Sequence, residues 1–502
     1  MNLLFGSAKD NNQTISVDNH YIHSPYSPIK EAERFVSLLP SDSEYDVIIL
    51  IEPGLSYTYN YLKQKYPGTT IGIIRLISEL SDSNASWDFI FNFDNSENLK
   101  NQLLSYFSEE KLLCSLLTEW VPSKNIFPDE VKQIWHIYKE ILEQSRTILI
   151  TRQYFEKKWI INTCNYIKYF TNNNFAYIQK TSKPIIIVSS GPSLNKVIKQ
   201  IPDFREKCYL ICLSSAIKVL ISNNIIPDLI LTTDGGYYAG QHLKQLYQTS
   251  NIPLAVPSEA FIQKSLLEKL QIIPCAYSDG VSKKLLEVCN IKPILLERNG
   301  TVSGTALKLA LSLTTSDIFC LGMDLAPNQS KQHSEPNELE INNCLKDFRL
   351  NNKETRQTRS RFNSGSLLIY RNWFKSLSGL QNKVYRVIEN QDSIGEIKNI
   401  NYLDFITHMM SVKVNSNVSS NKNDVISQCI KYSKNEKEQR IKKLKTFISE
   451  YSLSEDWKKQ IFPVDYISIK HANNLNEKEM LLKNLEDKNE KLLNKIRKLL
   501  EL

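Results

Sequence analysis

The chain of 502 residues lacks the cysteine spacings that mark metal-binding and disulfide-stabilised folds. It contains nine cysteines, an odd number, and no Cys-x-x-Cys; Cys208 and Cys212 are the only close pair. This spacing shows neither a zinc site nor a disulfide framework. We therefore expect the cysteines to be reduced core residues of a cytosolic protein.

Long apolar runs and a strong charge imbalance are also lacking. The first residues, MNLLFGSAKDNNQ, contain no basic segment followed by an apolar one, and no run approaches the length of a membrane span. We expect a cytoplasmic protein without a membrane span. The formal charge of +8 is modest for this length and spread along the chain, so we do not expect a nucleic-acid partner.

Length and composition indicate a globular protein of several domains. A chain of this length, with 41% apolar and 23% charged residues, is too long for one core. We predict an N-terminal α/β domain at residues 1–150, a central domain at 151–405 and a C-terminal helical domain at 406–502. The last boundary rests on a change after Val412 to the polar linker VNSNVSSNKND and then to a Lys/Glu-rich helical pattern.

The sequence KPIIIVSSGPSL at residues 183–194 predicts a strand that turns directly into a helix. Ser190, Gly191, Pro192 and Ser193 form the turn. The first N–H groups of a helix have no partner within it, and the helix dipole is positive there, so an anion can bind. We interpret the turn as a phosphate or nucleotide site. A capped turn without a ligand is the alternative, and these residues alone do not decide between the two.

Polar residues also follow the next two predicted strands. Tyr209–Leu213 is followed by Ser214 and Ser215, and Leu229–Thr233 is followed by Asp234. Strands that alternate with helices predict a parallel sheet covered on both faces, and ligands bind at the carboxyl ends of such strands. Three polar strand ends on one edge therefore favour a true ligand site.

The small-residue segment GTVSGTAL predicts the start of another helix. Gly300, Ser303, Gly304 and Ala306 are small residues that permit a close backbone approach. Residues 299–305, which include Thr301, can equally hold a ribose or base; packing of the helix is the alternative. The strand Ile318–Leu321 follows this helix and ends in the sequence Gly-Met-Asp, which contains Asp324.

Two further groups offer acid–base and charge chemistry. His333 lies in the polar loop that follows the predicted strand Ile318–Leu321 and Asp324. Imidazole titrates near neutral pH, as a general acid or base requires. Exposed loop histidines are usually inert, which is the alternative. Arg356, Arg359 and Arg361 form a cationic cluster that can bind carboxylate or phosphate, with a solvated loop as the alternative.

The N-terminal region contains a related but weaker turn. Val47–Ile51 and Thr70–Ile74 predict two strands with a helix between them, and Glu52–Leu55 forms the first turn. That turn lacks the spaced glycines of dinucleotide sites and an acidic residue near the end of the next strand. A purely structural turn is the favoured interpretation.

Apolar residues near the C-terminus recur at alternating spacings of three and four. The run consists of Leu482, Leu485, Asn489, Leu492, Ile496 and Leu499. It is shorter than the three to four heptads of a confident coiled coil, which favours a helix packed in a bundle. Self-association into a homo-oligomer and docking of flagellin are the alternatives.

These segments together resemble the motility accessory factors, or Maf-type flagellin glycosyltransferases, whose central domain is of the MptE-like type. In the N-terminal part the resemblance rests on IHSPYSPIKEAERF and the Gly54-Leu55-x-Tyr57 turn. In the central part it rests on SSGPSL, the Pro227-Asp228 to Asp234 segment, GTVSGTAL, LGMDLA and VYRVIENQDSIGEI. The chain departs from the family at Met323, which is often Gln, and around His333, where Thr-His-Ala is usual.

The resemblance implies a Rossmann-like parallel sheet in the central domain, similar to that of bacterial sialyltransferases. It implies transfer of a nonulosonic acid, of the pseudaminic or legionaminic type, from a CMP-activated donor to Ser or Thr of flagellin. It places Ser190, Gly191, Pro192 and Ser193 at the phosphate and Ser214 or Ser215 near the ribose or base, with Asp234, Thr301 and Asp324 lining the cleft. His333 and Asp324 are the catalytic candidates.

No metal or cofactor is expected beyond the CMP-activated donor. Many nucleotide-sugar transferases hold a metal with Asp-x-Asp, and none follows a predicted strand here. A donor with two anionic groups can instead be held by a helix N-terminus, hydroxyls and the arginines Arg356 and Arg359. A pterin diphosphokinase-like enzyme, which needs ATP and Mg²⁺, and a non-catalytic flagellin-binding accessory protein remain alternatives.

Overall fold

The computed structural model describes residues 2–40, 45–80, 85–170, 178–237, 239–248, 252–278, 280–325, 333–350, 352, 365–380, 383–413, 434–472 and 474–501. It contains two compact units, residues 1–156 with 455–491 and residues 157–454 with 492–502. The C-terminal residues are thus shared between the units. The predicted domain boundaries stay a prediction, and the predicted linker VNSNVSSNKND lies outside the described residues.

The first unit contains two sheets. Leu3–Ser7 (β1), Gln13–Val17 (β2) and His20–Tyr21 (β3) form an antiparallel sheet. A parallel sheet, ordered β6-β5-β4-β7, is formed by Val47–Ile51 (β4), Thr70–Arg75 (β5), Ile90–Asn92 (β6) and Ser115–Glu119 (β7). Strand β4 is buried at every position because it lies inside this sheet, as its unbroken apolar run predicts.

Helices cover these strands and form the C-terminal part of the chain. In the N-terminal part they are Pro28–Leu38, Tyr59–Lys65, Ser96–Tyr106, Glu109–Leu113, Val121–Ile126 and the first part of the long helix Pro128–Tyr169. In the C-terminal part they are Lys434–Tyr451, Glu455–Ile461, Pro463–Lys470 and Leu475–Leu500. The helical C-terminal region predicted from the Lys/Glu-rich pattern is therefore present.

The polar residue of the C-terminal run has a partner within its own unit. Trp457 is fully buried, and its indole N–H donates to Asn489 Oδ1 at 2.8 Å. Leu485, one helical turn before Asn489, is also buried. These contacts support packing within the chain, and the homo-oligomer stays a prediction.

The Glu52 turn of the first unit is filled by internal contacts. The buried Glu52 carboxylate lies 2.8 Å from the guanidinium of Arg75 and accepts the backbone N–H groups of Gly54, Leu76 and Ile77 at 2.8 to 3.1 Å. Since donors of this chain already occupy the Glu52 carboxylate, the structure supports the purely structural interpretation of this turn.

The second unit is built on a nine-stranded parallel sheet ordered β13-β12-β11-β10-β9-β8-β14-β15-β16. Its strands are Ile185–Val188 (β8), Tyr209–Leu213 (β9), Leu229–Leu231 (β10), Leu254–Pro257 (β11), Ile272–Tyr277 (β12), Ile294–Leu296 (β13), Ile318–Leu321 (β14), Val384–Val387 (β15) and Lys398–Ile400 (β16). The Rossmann-like parallel sheet predicted for the central region is confirmed.

The helices between these strands are short. They are Ile201–Phe204, Ile217–Ser222, Lys264–Lys269, Val281–Val288, Val302–Leu313, Glu338–Cys344, Gly365–Ser376 and Tyr402–Ser411. The turn after β8 does not begin the α-helix that the sequence predicts. It continues as the 3₁₀ segments Pro192–Lys196 and Ile198–Gln200, whose tighter winding is typical of short connections. In the part of the chain that the structure describes, none of the helices combines the length and apolarity that a bilayer crossing requires.

Candidate active site

The order of the strands identifies one point of the large sheet as special. From β8 the chain proceeds through β9 to β13 on one side, and then returns to place β14 on the other side of β8. Neighbouring connections therefore leave β8 and β14 in opposite directions. In open parallel sheets, a ligand binds in the crevice outside the carboxyl ends of two such strands. We term the carboxyl ends of β8 and β14 the switch point.

The turns that follow β8 and β14 lie directly against each other. The N–H of Gly191 donates to the carbonyl of Gly322 at 2.8 Å, and a Cβ on Gly191 would lie 2.4 Å from that oxygen. Gly322 has a φ of +65°, and a Cβ there would lie 2.2 Å from the carbonyl oxygen of Ser189. Glycine is required at both positions because each turn occupies the space of the other's side chain.

A carboxylate from the second turn binds the first. Asp324 accepts the backbone N–H of Ser193 at 2.9 Å and also accepts the Ser193 hydroxyl. Burial raises the pKa of Asp324, and the two hydrogen bonds from Ser193 oppose that rise. The N–H groups of Gly191 and Ser193, which the sequence assigned to an external anion, therefore already have acceptors within the protein.

Other predicted residues surround this pair. The hydroxyls of Ser189 and Ser303 lie 3.1 Å apart, which joins the end of β8 to the start of the helix Val302–Leu313. The N–H of Ser334 donates to the carbonyl of Ser190 at 2.7 Å, and Asn337 Nδ2 donates to the carbonyl of Ser215 at 3.1 Å. The segment after β14 therefore lies across the ends of β8 and β9.

That segment brings His333 to the same edge of the sheet. Its side chain is 30% exposed, and Nδ1 lies 3.5 Å from Oε1 of Glu340. Ser214 and Ser215 begin the 3₁₀ turn Ser214–Ala216 directly after β9. The structure thus groups Ser190, Gly191, Pro192, Ser193, Ser214, Ser215, Ser303, Asp324 and His333 around the switch point.

Two other predicted residues, Asp234 and Thr301, make hydrogen bonds within their own turns. The Asp234 side chain accepts the N–H of Gly236 at 2.7 Å, and the Thr301 N–H donates to Asn299 Oδ1 at 3.1 Å. Asn162 Nδ2 donates to the carbonyl of Gly235, so the Asp234 turn lies against the long helix. Arg356, Arg359 and Arg361 lie outside the described residues.

The sequence reasoning missed an ion pair near Asp234. Both terminal oxygens of the buried Glu259 accept from Arg298 Nη2 at 2.8 and 2.9 Å. The Arg298 guanidinium also lies over the rings of Trp159 and Tyr277, at 4.3 and 4.2 Å from their centroids. An arginine immediately after a strand end was the available signal, because this is the edge where ligands bind.

Metal-ligating side chains do not converge here. Within the described residues, no three His, Cys, Asp or Glu side chains form a group that could hold a metal ion. The metal-independent reaction stays a prediction.

The comparisons with known proteins agree with this fold. Residues 157–330 match the family described as 6-hydroxymethylpterin diphosphokinase MptE-like. A protein of Treponema pallidum (strain Nichols), described as uncharacterized, is 25% identical over 321 residues, which are 63% of this chain and 70% of that protein. The solved structure of a Maf glycosyltransferase from Magnetospirillum magneticum AMB-1 aligns with 99% of this chain and 90% of its own, with a TM-score of 0.50 and 11% identity.

Proposed function

Since residues 157–330 form an MptE-like domain and the chain shares its fold with a Maf glycosyltransferase, we propose that this protein is itself a glycosyltransferase. Its donor would be a CMP-activated nonulosonic acid of the pseudaminic or legionaminic type, and its acceptors Ser or Thr hydroxyls of flagellin. The observation that supports this most is the arrangement at the switch point, where hydroxyls, a buried carboxylate and a histidine meet at the edge that binds ligands in such sheets.

In this proposal the reaction is a single displacement at the anomeric carbon. The acceptor hydroxyl oxygen bonds to that carbon, the bond from the carbon to the phosphate oxygen breaks, and CMP leaves with the electron pair. His333 takes the hydroxyl proton, and the hydroxyls of Ser189 and Ser303, which lie 3.1 Å apart, would donate to the departing phosphate. Asp324 would order the turn through Ser193.

Purified flagellin incubated with this protein and CMP-pseudaminic or CMP-legionaminic acid tests the proposal. We expect the intact mass of flagellin to increase by one or more sugar residues, with the same increase in EDTA as in Mg²⁺. An unchanged mass with both donors would contradict the activity and leave the non-catalytic flagellin-binding protein as the better hypothesis. Loss of transfer in EDTA would contradict only the metal-independent step.

The family description itself supports a second candidate, a pterin diphosphokinase-like enzyme. That reaction needs ATP and Mg²⁺. Thermal unfolding in the presence of CMP, CDP, ATP or GTP, each with and without Mg²⁺, separates the candidates. Stabilisation by cytidine nucleotides without Mg²⁺ supports the glycosyltransferase, and stabilisation by ATP with Mg²⁺ supports the kinase.

A further inference from the structure

One buried cation of the second unit has almost no partner. Arg386, in β15, is 1% exposed and belongs to the largest fully buried side chains. Its Nη2 donates to Gln391 Oε1, but its Nε and Nη1 atoms have no hydrogen-bond partner among the residues described. A buried guanidinium is normally paired with a carboxylate or surrounded by acceptors, because leaving its charge and donors unmatched is costly. The site of Arg386 is therefore incomplete.

Among the described residues, Arg75 is also a fully buried arginine, and it differs from Arg386 because it has an ion pair. Arg75 is also 1% exposed, but its Nη1 lies 2.8 Å from the Glu52 carboxylate and donates to the Gly54 carbonyl at 2.8 Å. Its Nη2 donates to the Ser56 hydroxyl at 3.2 Å. Among the described residues, Arg386 has no ion pair of this kind. Burial lowers its pKa to about 10, which leaves it charged at neutral pH.

Arg386 belongs to the switch point by its place in the sheet. It pairs in register with Cys320 of β14, the strand that ends next to Gly322 and Asp324. Its charge acts on the Asp324 carboxyl and on the Tyr402 hydroxyl, favouring the ionised form of each. The Ser193 side chain also acts to lower the pKa of the Tyr402 hydroxyl. The incomplete arginine and the two contacting turns therefore form one continuous group.

We propose that Arg386 binds an oxyanion of the ligand at the switch point, through the donors that the protein leaves unmatched. The identity of the ligand rests on the proposed function, in which the donor carries a nucleotide phosphate and a sugar carboxylate. Either group supplies acceptor oxygens for the Nε and Nη1 donors of Arg386, and arginine recognises both through charge-assisted hydrogen bonds. The amides of Gly191 and Ser193 can then keep their internal acceptors while the ligand is bound.

The group around Arg386 also contains a second cation and a hydroxyl. The Lys196 ammonium lies 5.2 Å from the centroid of the Tyr402 ring and 3.9 Å from the carboxylate of Glu389. The Lys196 side chain is 54% exposed, and its charge, like that of Arg386, acts to lower the pKa of the Asp324 carboxyl. Two cations that act on one group favour an oxyanion over a neutral ligand there.

Calorimetric titration of the full chain with inorganic phosphate, CMP, cytidine and N-acetylneuraminate tests the proposal. The variants are Arg386→Met, which removes the charge, and Arg386→Lys, which keeps the charge but loses the Nε donor. Lys383→Met is the matched control because it removes one exposed cation directly before β15. Near-ultraviolet circular dichroism establishes that each variant is folded.

We expect Arg386→Met to weaken binding of the anion that it contacts by roughly 10- to 100-fold, with Arg386→Lys between it and the wild type. Lys383→Met should leave that affinity unchanged. Loss of affinity for CMP and phosphate, but not for cytidine, identifies the nucleotide phosphate. Loss of affinity for N-acetylneuraminate, with the affinity for CMP unchanged, identifies the sugar carboxylate as the group that Arg386 binds.

Equal affinities of the wild type and Arg386→Met for every anionic probe would overturn the proposal, as would binding of none of them by the wild type. If phosphate binding depends on Arg386 while CMP and N-acetylneuraminate do not bind, the subsite stands and the proposed donor fails. If the Arg386 variants do not fold, a crystal of the wild type soaked in CMP decides. A phosphate within hydrogen-bond distance of Arg386 supports the proposal, and one bound elsewhere contradicts it.

Discussion

Ser193 donates both its backbone N–H and its hydroxyl to Asp324, a residue 131 positions later in the chain. The turn that looks from its sequence like an open anion site thus holds a carboxylate of the same chain. The pair joins the ends of β8 and β14 and fixes the geometry of the switch point. A ligand that binds here must compete with Asp324 or use neighbouring donors.

Replacing Ser193 by Ala removes one of the two hydrogen bonds to a buried carboxylate. We expect Ser193→Ala to lower the free energy of unfolding by about 1–3 kcal/mol, because hydrogen bonds to buried charges are among the stronger ones. Urea denaturation measures the change. Ser449→Ala, at an exposed helical hydroxyl bonded to the Lys445 carbonyl, is the control and should cost under about 0.5 kcal/mol. Equal costs for the two variants would contradict the prediction.

The raised pKa of Asp324 predicts a pH dependence. An acid whose pKa is higher in the folded than in the unfolded state stabilises the fold at low pH, and this contribution is lost as the pH rises from the unfolded value of 3.8 through the folded value. We therefore expect the wild type to lose stability relative to Asp324→Asn as the pH rises above the unfolded value of 3.8. Unfolding free energies of both proteins across that range provide the measurement. A relative gain for the wild type would show that the pKa is lowered.

Adding a methyl group at Gly191 should separate the two turns. The new Cβ would lie 2.4 Å from the Gly322 carbonyl oxygen and 2.8 Å from Asp324 Cγ, so backbone must move. We expect Gly191→Ala to cost about 1–3 kcal/mol of unfolding free energy. The control is Gly6→Ala, whose Cβ would make an ordinary contact of 3.6 Å with Thr14. Thermal unfolding of both variants is the measurement. A loss of stability for Gly191→Ala no greater than that for the control would contradict the close approach of the two turns.

His23 predicts acid sensitivity of the first unit. Burial, together with the charge of Arg75, lowers its pKa to about 3, and its Nε2 accepts the N–H of Leu55 at 2.8 Å. A histidine with a lowered folded pKa stabilises the fold above the unfolded value of 6.5, and that contribution is lost as the pH falls toward 3. Between about pH 6.5 and pH 5 the loss is about 2 kcal/mol.

The His23→Gln variant, which does not titrate in this range, should show a correspondingly flatter dependence of stability on pH. Chemical denaturation of the wild type and of His23→Gln at several pH values is the measurement. Parallel curves for the two proteins would mean that His23 does not carry the effect.

His333 is the proposed base for the acceptor hydroxyl. We expect His333→Ala to lower the rate of sugar transfer by about 10²- to 10⁴-fold, with donor affinity largely retained, because only proton transfer is lost. Initial rates of the flagellin mass increase provide the measurement. His136→Ala, at a histidine whose side chain is 76% exposed in the first unit, is the control and should transfer at the normal rate. Normal transfer by His333→Ala would remove the residue from the mechanism.

Local sequence patterns were sufficient to predict strands in both parallel sheets. The strands Val47–Ile51, Tyr209–Leu213 and Ile318–Leu321 agree residue for residue with the structure. Each is a short apolar run followed within two residues by Gly, Pro or Ser, so the same stretch of sequence predicts both the buried strand and the turn that ends it. The polar residues at their carboxyl ends could be predicted for the same reason, since parallel strands end at a common edge.

The helix predicted after Ser193 fails for a related reason. The segment after Ser193 has enough apolar residues to pack on the sheet. Its local pattern does not distinguish an α-helix from the two short 3₁₀ segments that the structure shows. The tight hydrogen bonds of the Gly191 turn to Gly322 and Asp324 are not visible in the local sequence. They depend on which strand lies beside β8.

The sequence by itself determined the strands, the alternation with helices and the small and polar residues at the strand ends, because these follow from interactions between near neighbours. Only the tertiary structure decided that β14 returns beside β8, that Asp324 meets Ser193, and that Arg386 is buried with unmatched donors. Strand order and the partners of buried polar groups depend on packing between residues more than a hundred positions apart. A local sequence pattern does not predict such packing.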